Sequence, residues 1–219
     1  MVSGRRQALV VRGGWPGHEP VETTNLFVPF LQGHGFEVLV EESLEVYEDE
    51  ALLARTDLIV QSWTSGDITR AESAGLMAAV QAGTGLAGWH GGIVDAFRED
   101  KDYQLLTGGQ FVMDTGGPDR RRVRLSPGFA DHPVIAGLHD FEVRGSQYWT
   151  HSDPLNDVLA TVAFEADERR ARPADIPAVW ARTWGRGRVF VSTFGHGTED
   201  FRVPEVRAIT ERGLLWASR

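Results

Sequence analysis

No cysteine occurs among the 219 residues. That absence removes disulfides, thiolate metal sites and a cysteine nucleophile together. It also fits an intracellular, reducing compartment. Long apolar runs are missing too. No stretch approaches the roughly 20 apolar residues that cross a bilayer, so no membrane partner is expected. The opening "MVSGRRQALVVRGG" holds an apolar run of about four residues, short of the roughly 7–15 of a secretory signal. It reads as the lead-in to a first strand, and the cytoplasm is the expected location. A basic excess is also missing. Lys and Arg total 22 against 31 Asp and Glu, a net charge of -9, which argues against nonspecific nucleic-acid binding. The basic run "RRRVR" over 120–124 is expected to be a solvated strand edge.

What is present looks globular. Hydrophobic residues make up 42% and charged residues 24%, which is ordinary usage. The length fits one domain over 1–219, large enough to bury a core without staples. No internal repeat or low-complexity linker stands out.

Apolar patterning then gives the order of elements. "QALVVRGG" (7–14) reads as a buried strand running into a glycine loop. "ETTNLFVPFLQGHG" (22–35) places Thr24, Phe27, Val28 and Leu31 on one helical face, with Pro29 as a kink and His34 near the end. "FEVLVE" (36–41) and "DLIVQSW" (57–63) read as the next strands. Over 69–85, Thr69 and Glu72 have capping-box spacing ahead of a helix, and glycine closes it. "GLAGW" (85–89) is the fourth strand. This β-α-β-β-α-β order predicts an α/β fold with a mostly parallel sheet and helices on both faces. The second half is β-rich, with strands expected at 121–126, 141–149, 157–164, 177–184 and 187–195. "WGRG" (184–187) reads as a hairpin turn, "ADERRARPAD" (166–175) as an exposed loop, and 203–219 as a closing helix. The chain is thus one α/β unit with a β-rich excursion before its last core strand.

Ligands in such sheets bind beyond the carboxyl ends of the strands. After the first strand come Trp15, His18 and Glu19; after the third, Trp63 and Asp67; after the fourth, Trp89-His90-Gly91-Gly92; after the last, His196, Glu199 and Asp200. Three separate strand ends each deliver a histidine, which predicts a shared polar pocket for His18, His90 and His196. His34, His132 and His139 are expected to be structural or exposed, while His151 is placed to reach the rim from the β-rich excursion. Trp180, Trp184 and Trp216 are expected in the core, and Trp15, Trp63 and Trp89 suit stacking on a sugar ring or packing among loops.

"GWHGG" (88–92) has the shape of a nucleophile elbow, the strand-to-helix turn G-x-S-x-G, with histidine at the centre. Histidine serves as acid, base or metal ligand, and the position offers no serine or cysteine. Together with "VRGGWPGHEP", "LLTGGQF", "DHPVIAGL", "SQYWTHSDP" and "GRVFVSTFGHGTEDF", the chain resembles the trehalose-utilisation (ThuA-like) family of the class I glutamine amidotransferase-like superfamily. The resemblance implies a flavodoxin-like fold. It places His90 where true amidotransferases carry their cysteine and His196 at their late histidine; Glu199 follows by three residues rather than two. It therefore lends the fold without glutamine hydrolysis. It further implies metabolism of disaccharides such as trehalose and their keto derivatives. Two positions depart from the pattern: Asp114 stands where a histidine is expected, and Ser146 where an acid is expected.

Two classes of function follow. The first is an enzyme on a carbohydrate, a hydrolase, lyase or isomerase. His18, His90 and His196 would be its acid/base groups or its ligands to a divalent metal such as zinc. Asp67, Glu199 or Asp200 would orient them, and Trp15, Trp63, Asp67, Trp89, Gly91, Tyr148, His151 and Glu199 would contact the sugar. The second is a sugar-binding module without turnover. A homodimer is the base expectation for any oligomer.

Overall fold

The computed structural model describes residues 6–115, 120–168 and 170–219. Residues 1–5 and 169, parts of the N-terminal lead-in and of the loop over 166–175 read above, lie outside the described residues.

The first half alternates strand and helix: β1 (Arg6–Gly14), α1 (Pro20–Gly33), β2 (Phe36–Glu41), a 3-10 turn (Leu44–Glu48), α2 (Glu50–Arg55), β3 (Leu58–Thr64), α3 (Arg70–Ala82), β4 (Gly85–Trp89) and α4 (Gly91–Val94). β1 pairs in parallel with both β2 and β3, and β3 in parallel with β4. β2 and β3 therefore flank β1, and the chain must cross over it. The sequence reading passed straight from one strand to the other, whereas the structure inserts the 3-10 turn and α2, because joined parallel strands need a crossover. α1 begins at Pro20, whose fixed φ suits a first helical position, and runs through Pro29 without a break. The Thr69–Glu72 capping box forms with both bonds present, and α3 ends on Gly83 at φ 119°.

The second half holds α5 (Lys101–Thr107), β5 (Gly109–Asp114), β6 (Arg121–Leu125), β7 (Phe141–Val143), β8 (Tyr148–Ser152), β9 (Asp157–Phe164), β10 (Ala174–Trp184), β11 (Gly187–Ser192) and α6 (Pro204–Ala217). Among the described residues the large sheet runs β2-β1-β3-β4-β11-β10-β9-β6-β7. β11 returns parallel beside β4, and β10 turns back antiparallel at 184–187. The stretch 141–149, read as one strand, is two: β7 joins the large sheet while β8 pairs with β5. The basic run does not form a sheet edge, because β6 lies between β9 and β7. Three of its arginines are paired across strands, Arg120 with Glu142 at 3.1 Å, Arg122 with Asp140 at 3.0 Å, and Arg124 with Asp175.

Strand residues alternate between two buried faces. Ala8, Val10, Leu58, Val60, Ala87, Trp89 and Phe190 pack toward Phe27 and Leu31 of α1 and Ile209 and Leu214 of α6. Leu9, Val11, Ile59, Leu86, Val189 and Val191 pack toward Leu76 and Val80 of α3 and Leu106 of α5. Burial on both sides explains why these strands read as continuous apolar runs. Trp180 is fully buried, and Trp184 and Trp216 pack half-buried at the edges of the two clusters.

Candidate functional site at the carboxyl ends of the central strands

β4 ends at Trp89, and His90 turns the chain into α4 with φ 47° and ψ −141°. This is the sharp elbow that the motif suggested. The His90 N–H donates to Ser192 O of β11 at 2.7 Å, which anchors the turn to the sheet. The flanking glycines are there for close approach. A Cβ on Gly88 would run into the Gln61 carbonyl and Ile93, and one on Gly91 would run into the His18 ring. Beneath the elbow lies a buried polar chain. Tyr47 donates to Gln61 Oε1 at 3.0 Å, Gln61 bonds Tyr103 and the Gly92 carbonyl, and Tyr103 donates to the Ile93 carbonyl at 2.8 Å. Burial raises both tyrosine hydroxyls well above the usual phenol range.

Three histidines meet above this elbow. His18 comes from the short 3-10 turn after β1, His90 from the elbow after β4, and His196 from the loop after β11. Ring centroids are 4.7 Å apart for His18–His90, 5.0 Å for His18–His196 and 5.1 Å for His90–His196. One nitrogen from each ring lies within 4.8 Å of the others. His90 is 1% exposed, His18 8%, and His196 half-buried. The hydrogen bonds fix the His90 tautomer. His90 Nδ1–H donates to the Thr193 carbonyl at 2.7 Å, so Nε2 carries a lone pair, and His196 Nδ1–H donates to it at 3.2 Å. His18 Nδ1 bonds Thr64 Oγ1 at 2.8 Å, and its Nε2 faces the Tyr148 hydroxyl at 3.3 Å. Burial, then the neighbouring His196, lowers His18 to about 4. Burial, then His18, holds His90 well below the usual imidazole range. Both rings are therefore neutral at ordinary pH and able to offer a lone pair.

Aromatic and acidic groups complete the surround. Tyr148 of β8 stacks on His90 with centroids 4.0 Å apart. Trp15 meets His18 edge to face at 4.7 Å yet is 53% exposed, so most of its ring is open to a ligand. Asp200 accepts from the Gly195 and His196 N–H groups and thereby shapes the loop that carries His196. Burial raises the Asp200 carboxyl. Glu19 accepts from the Thr198 N–H and hydroxyl, which lowers its carboxyl and ties the β1–α1 connection to the same loop. Glu19 stands at the rim where the sequence placed it after the first strand, while Thr64 and Thr193 contribute although the sequence singled out neither. The signal for the two threonines was only their place at strand ends.

Other residues singled out in the sequence lie elsewhere. Trp89 points into the core against Phe27 and Phe201. Trp63 packs against Gly13, and Asp67 is exposed. His151 is exposed on β8 opposite Gln110. Glu199 is exposed and pairs with Arg202 at 2.9 Å. Gly91 belongs to the cluster as the bare backbone against His18 and Tyr148. The two departures from the family pattern meet each other: the Ser146 hydroxyl donates to Asp114 at 2.6 Å, and the Asp114 charge bears on both His18 and Tyr148.

The family model for ThuA, described as trehalose utilisation, matches residues 7–217. The chain belongs to the ThuA family. Solved structures share the ThuA fold seen here. A ThuA-like protein from Bacteroides uniformis superposes with a TM-score of 0.75 at 20% identity, covering 99% of this chain and 93% of the other. A protein from Salmonella typhimurium described as cytoplasmic superposes at 0.67 with 13% identity, covering 97% of this chain and 100% of the other. A β-galactosidase from Bacillus circulans contains a similar unit, at 0.63 and 10% identity, over 97% of this chain and 30% of that enzyme. No curated protein matches the sequence. Among the described residues of this ThuA chain, no helix is long and apolar enough to cross a membrane.

Proposed function

We propose that this ThuA-family protein is a cytoplasmic enzyme of carbohydrate metabolism whose working group is the His18–His90–His196 cluster, holding a divalent ion such as zinc. The observation that carries the reading is the convergence of three ring nitrogens within 4.8 Å, two of them on buried neutral imidazoles. The donor set fits the ion. Catalytic zinc sites commonly take three protein ligands with Zn–N bonds of about 2.0–2.1 Å, which puts two nitrogens on one tetrahedral ion roughly 3.3 Å apart. His90 Nε2 and His196 Nδ1 are 3.2 Å apart, and both would face an ion once the His196 proton moves to its Nε2. The Thr193 carbonyl on His90 Nδ1–H is the outer partner that metal-bound histidines ordinarily have.

An ion held there supplies Lewis-acid polarisation of a sugar oxygen. The chain's own groups supply the rest. The exposed Trp15 ring offers an apolar face for a sugar. Tyr148, its hydroxyl kept protonated by burial, donates a hydrogen bond toward the cluster. His196, the least buried of the three, stands on the open side of the cluster, where a substrate would enter.

Metal analysis after zinc loading tests the ion. Wild-type protein should retain about one zinc per chain, and His90→Ala should retain almost none while keeping its circular dichroism spectrum. A folded wild type that retains no zinc sinks the metal reading. Incubation with disaccharides and their 3-keto forms, read by mass spectrometry, tests turnover. Saturable binding without conversion across that panel would replace the enzyme with a sugar-binding module.

A further inference from the structure

Beyond the carboxyl ends of sheet strands, backbone N–H groups of the loops commonly receive the anionic part of a ligand. The loop after β11 presents such donors: the N–H groups of Gly195, His196 and Thr198, and the Thr198 hydroxyl. The chain's own carboxylates take all four. Asp200 Oδ2 accepts from Gly195 at 3.2 Å and His196 at 2.8 Å. Glu19 Oε2 accepts from the Thr198 N–H at 2.9 Å and its hydroxyl at 3.1 Å.

Asp200 is part of that loop. Glu19 is not: it reaches across from a connection 179 positions earlier. Its carboxylate lies flush on Gly197, where an added Cβ would sit 3.2 Å from Oε2. Glu19 also holds φ 48°, a left-handed backbone that strains a side chain and suits glycine. Strain kept at a site rim points to a use for the side chain.

We propose that Glu19 is a specificity residue of this site: its carboxylate stands where a substrate's anionic group would bind, so the site takes uncharged sugars and turns away phosphorylated or carboxylated ones. The inference rests on the sugar reading above. Glu19 acts in two ways. It fills the Thr198 donors, and it sets a negative charge beside His196 and Asp200, where an incoming anion meets repulsion. Arg98, the cation whose charge bears on Tyr148, is itself paired with Asp95.

The test titrates inorganic phosphate, by calorimetry, into metal-depleted wild-type protein, Glu19→Gly and Glu19→Gln. Depletion removes any contribution from an ion in the histidine cluster. Glu19→Gly suits the left-handed backbone and bares the Thr198 donors, so it should bind phosphate at least about tenfold more tightly than wild type. Glu19→Gln still accepts from Thr198 but carries no charge, so its gain should be smaller, about threefold. Adding Thr198→Ala to Glu19→Gly should cut the gain. Phosphate binding equal to wild type in a folded Glu19→Gly overturns the proposal. If that variant does not fold, equal binding in Glu19→Gln overturns it. The zinc content of undepleted wild type is measured separately: its absence removes the metal reading and leaves the phosphate comparison standing.

Discussion

His90 occupies a backbone conformation that few side chains accept, and its neighbours show why the chain tolerates it. With φ at 47°, the residue leaves β4, bonds back to β11 and aims its ring at His18 and His196. Gly91 makes the approach possible, because the His18 ring occupies the space a Cβ would take. Gly91→Ala should therefore push His18 off the elbow, destabilising the fold by about 1–3 kcal/mol as overpacking does and lowering zinc retention. Urea unfolding with metal analysis checks both; wild-type values for each would contradict this account. The histidines were legible in the sequence because each follows a strand and the rim of such a sheet is where ligands bind. The direction of a side chain was not legible. Trp89 sits next to His90, yet strand alternation turns it into the core against Phe27. Glu199 sits one residue from Asp200, yet Asp200 faces the loop while Glu199 pairs outward with Arg202.

At the scale of elements, the 3-10 turn over Leu44–Glu48, β3, α5 and α4 are tied by Tyr47, Gln61 and Tyr103 beneath the elbow. Burial raises both hydroxyls, and that makes a pH prediction. An unfolded tyrosine loses its proton near pH 10, while these two keep theirs in the fold. Above about pH 10 the unfolded chain thus holds fewer protons than the folded one, and stability falls as pH rises. Urea midpoints measured from about pH 8 to 11 should drop steeply, and Tyr103→Phe should flatten the drop. Equal slopes in the two proteins would contradict the role given to Tyr103. β2, β4 and β9 match their sequence-derived bounds, and the capping box of α3 forms as its spacing predicts. The helices α2, α4 and α5, of four to seven residues, escaped because so short a span completes too few turns to display a helical period. The break between β7 and β8 escaped for another reason. Strand-like residues run through 141–149, and only the choice of partner strand divides them.

For the whole molecule, the large sheet divides the interior into two faces, one under α1 and α6 and the other under α2, α3 and α5. Ile59 and Ile209 are fully buried on opposite sides of it. Ile59→Val and Ile209→Val should each cost about 0.5–1.5 kcal/mol, and the double variant should show their sum within about 0.5 kcal/mol. A larger coupling in denaturant unfolding would mean that the faces communicate through the sheet. The ends of β1, β4 and β11 deliver one histidine each, so the cluster exists only where the strand order of the native sheet exists. Any molecule that needs all three rings is a ligand of the folded chain alone. Its binding energy then adds to the unfolding free energy, about 2.7 kcal/mol at a hundredfold excess over its dissociation constant. The melting temperature becomes a readout of occupancy, and metals and sugars can be screened for this site by heat before any reaction is known.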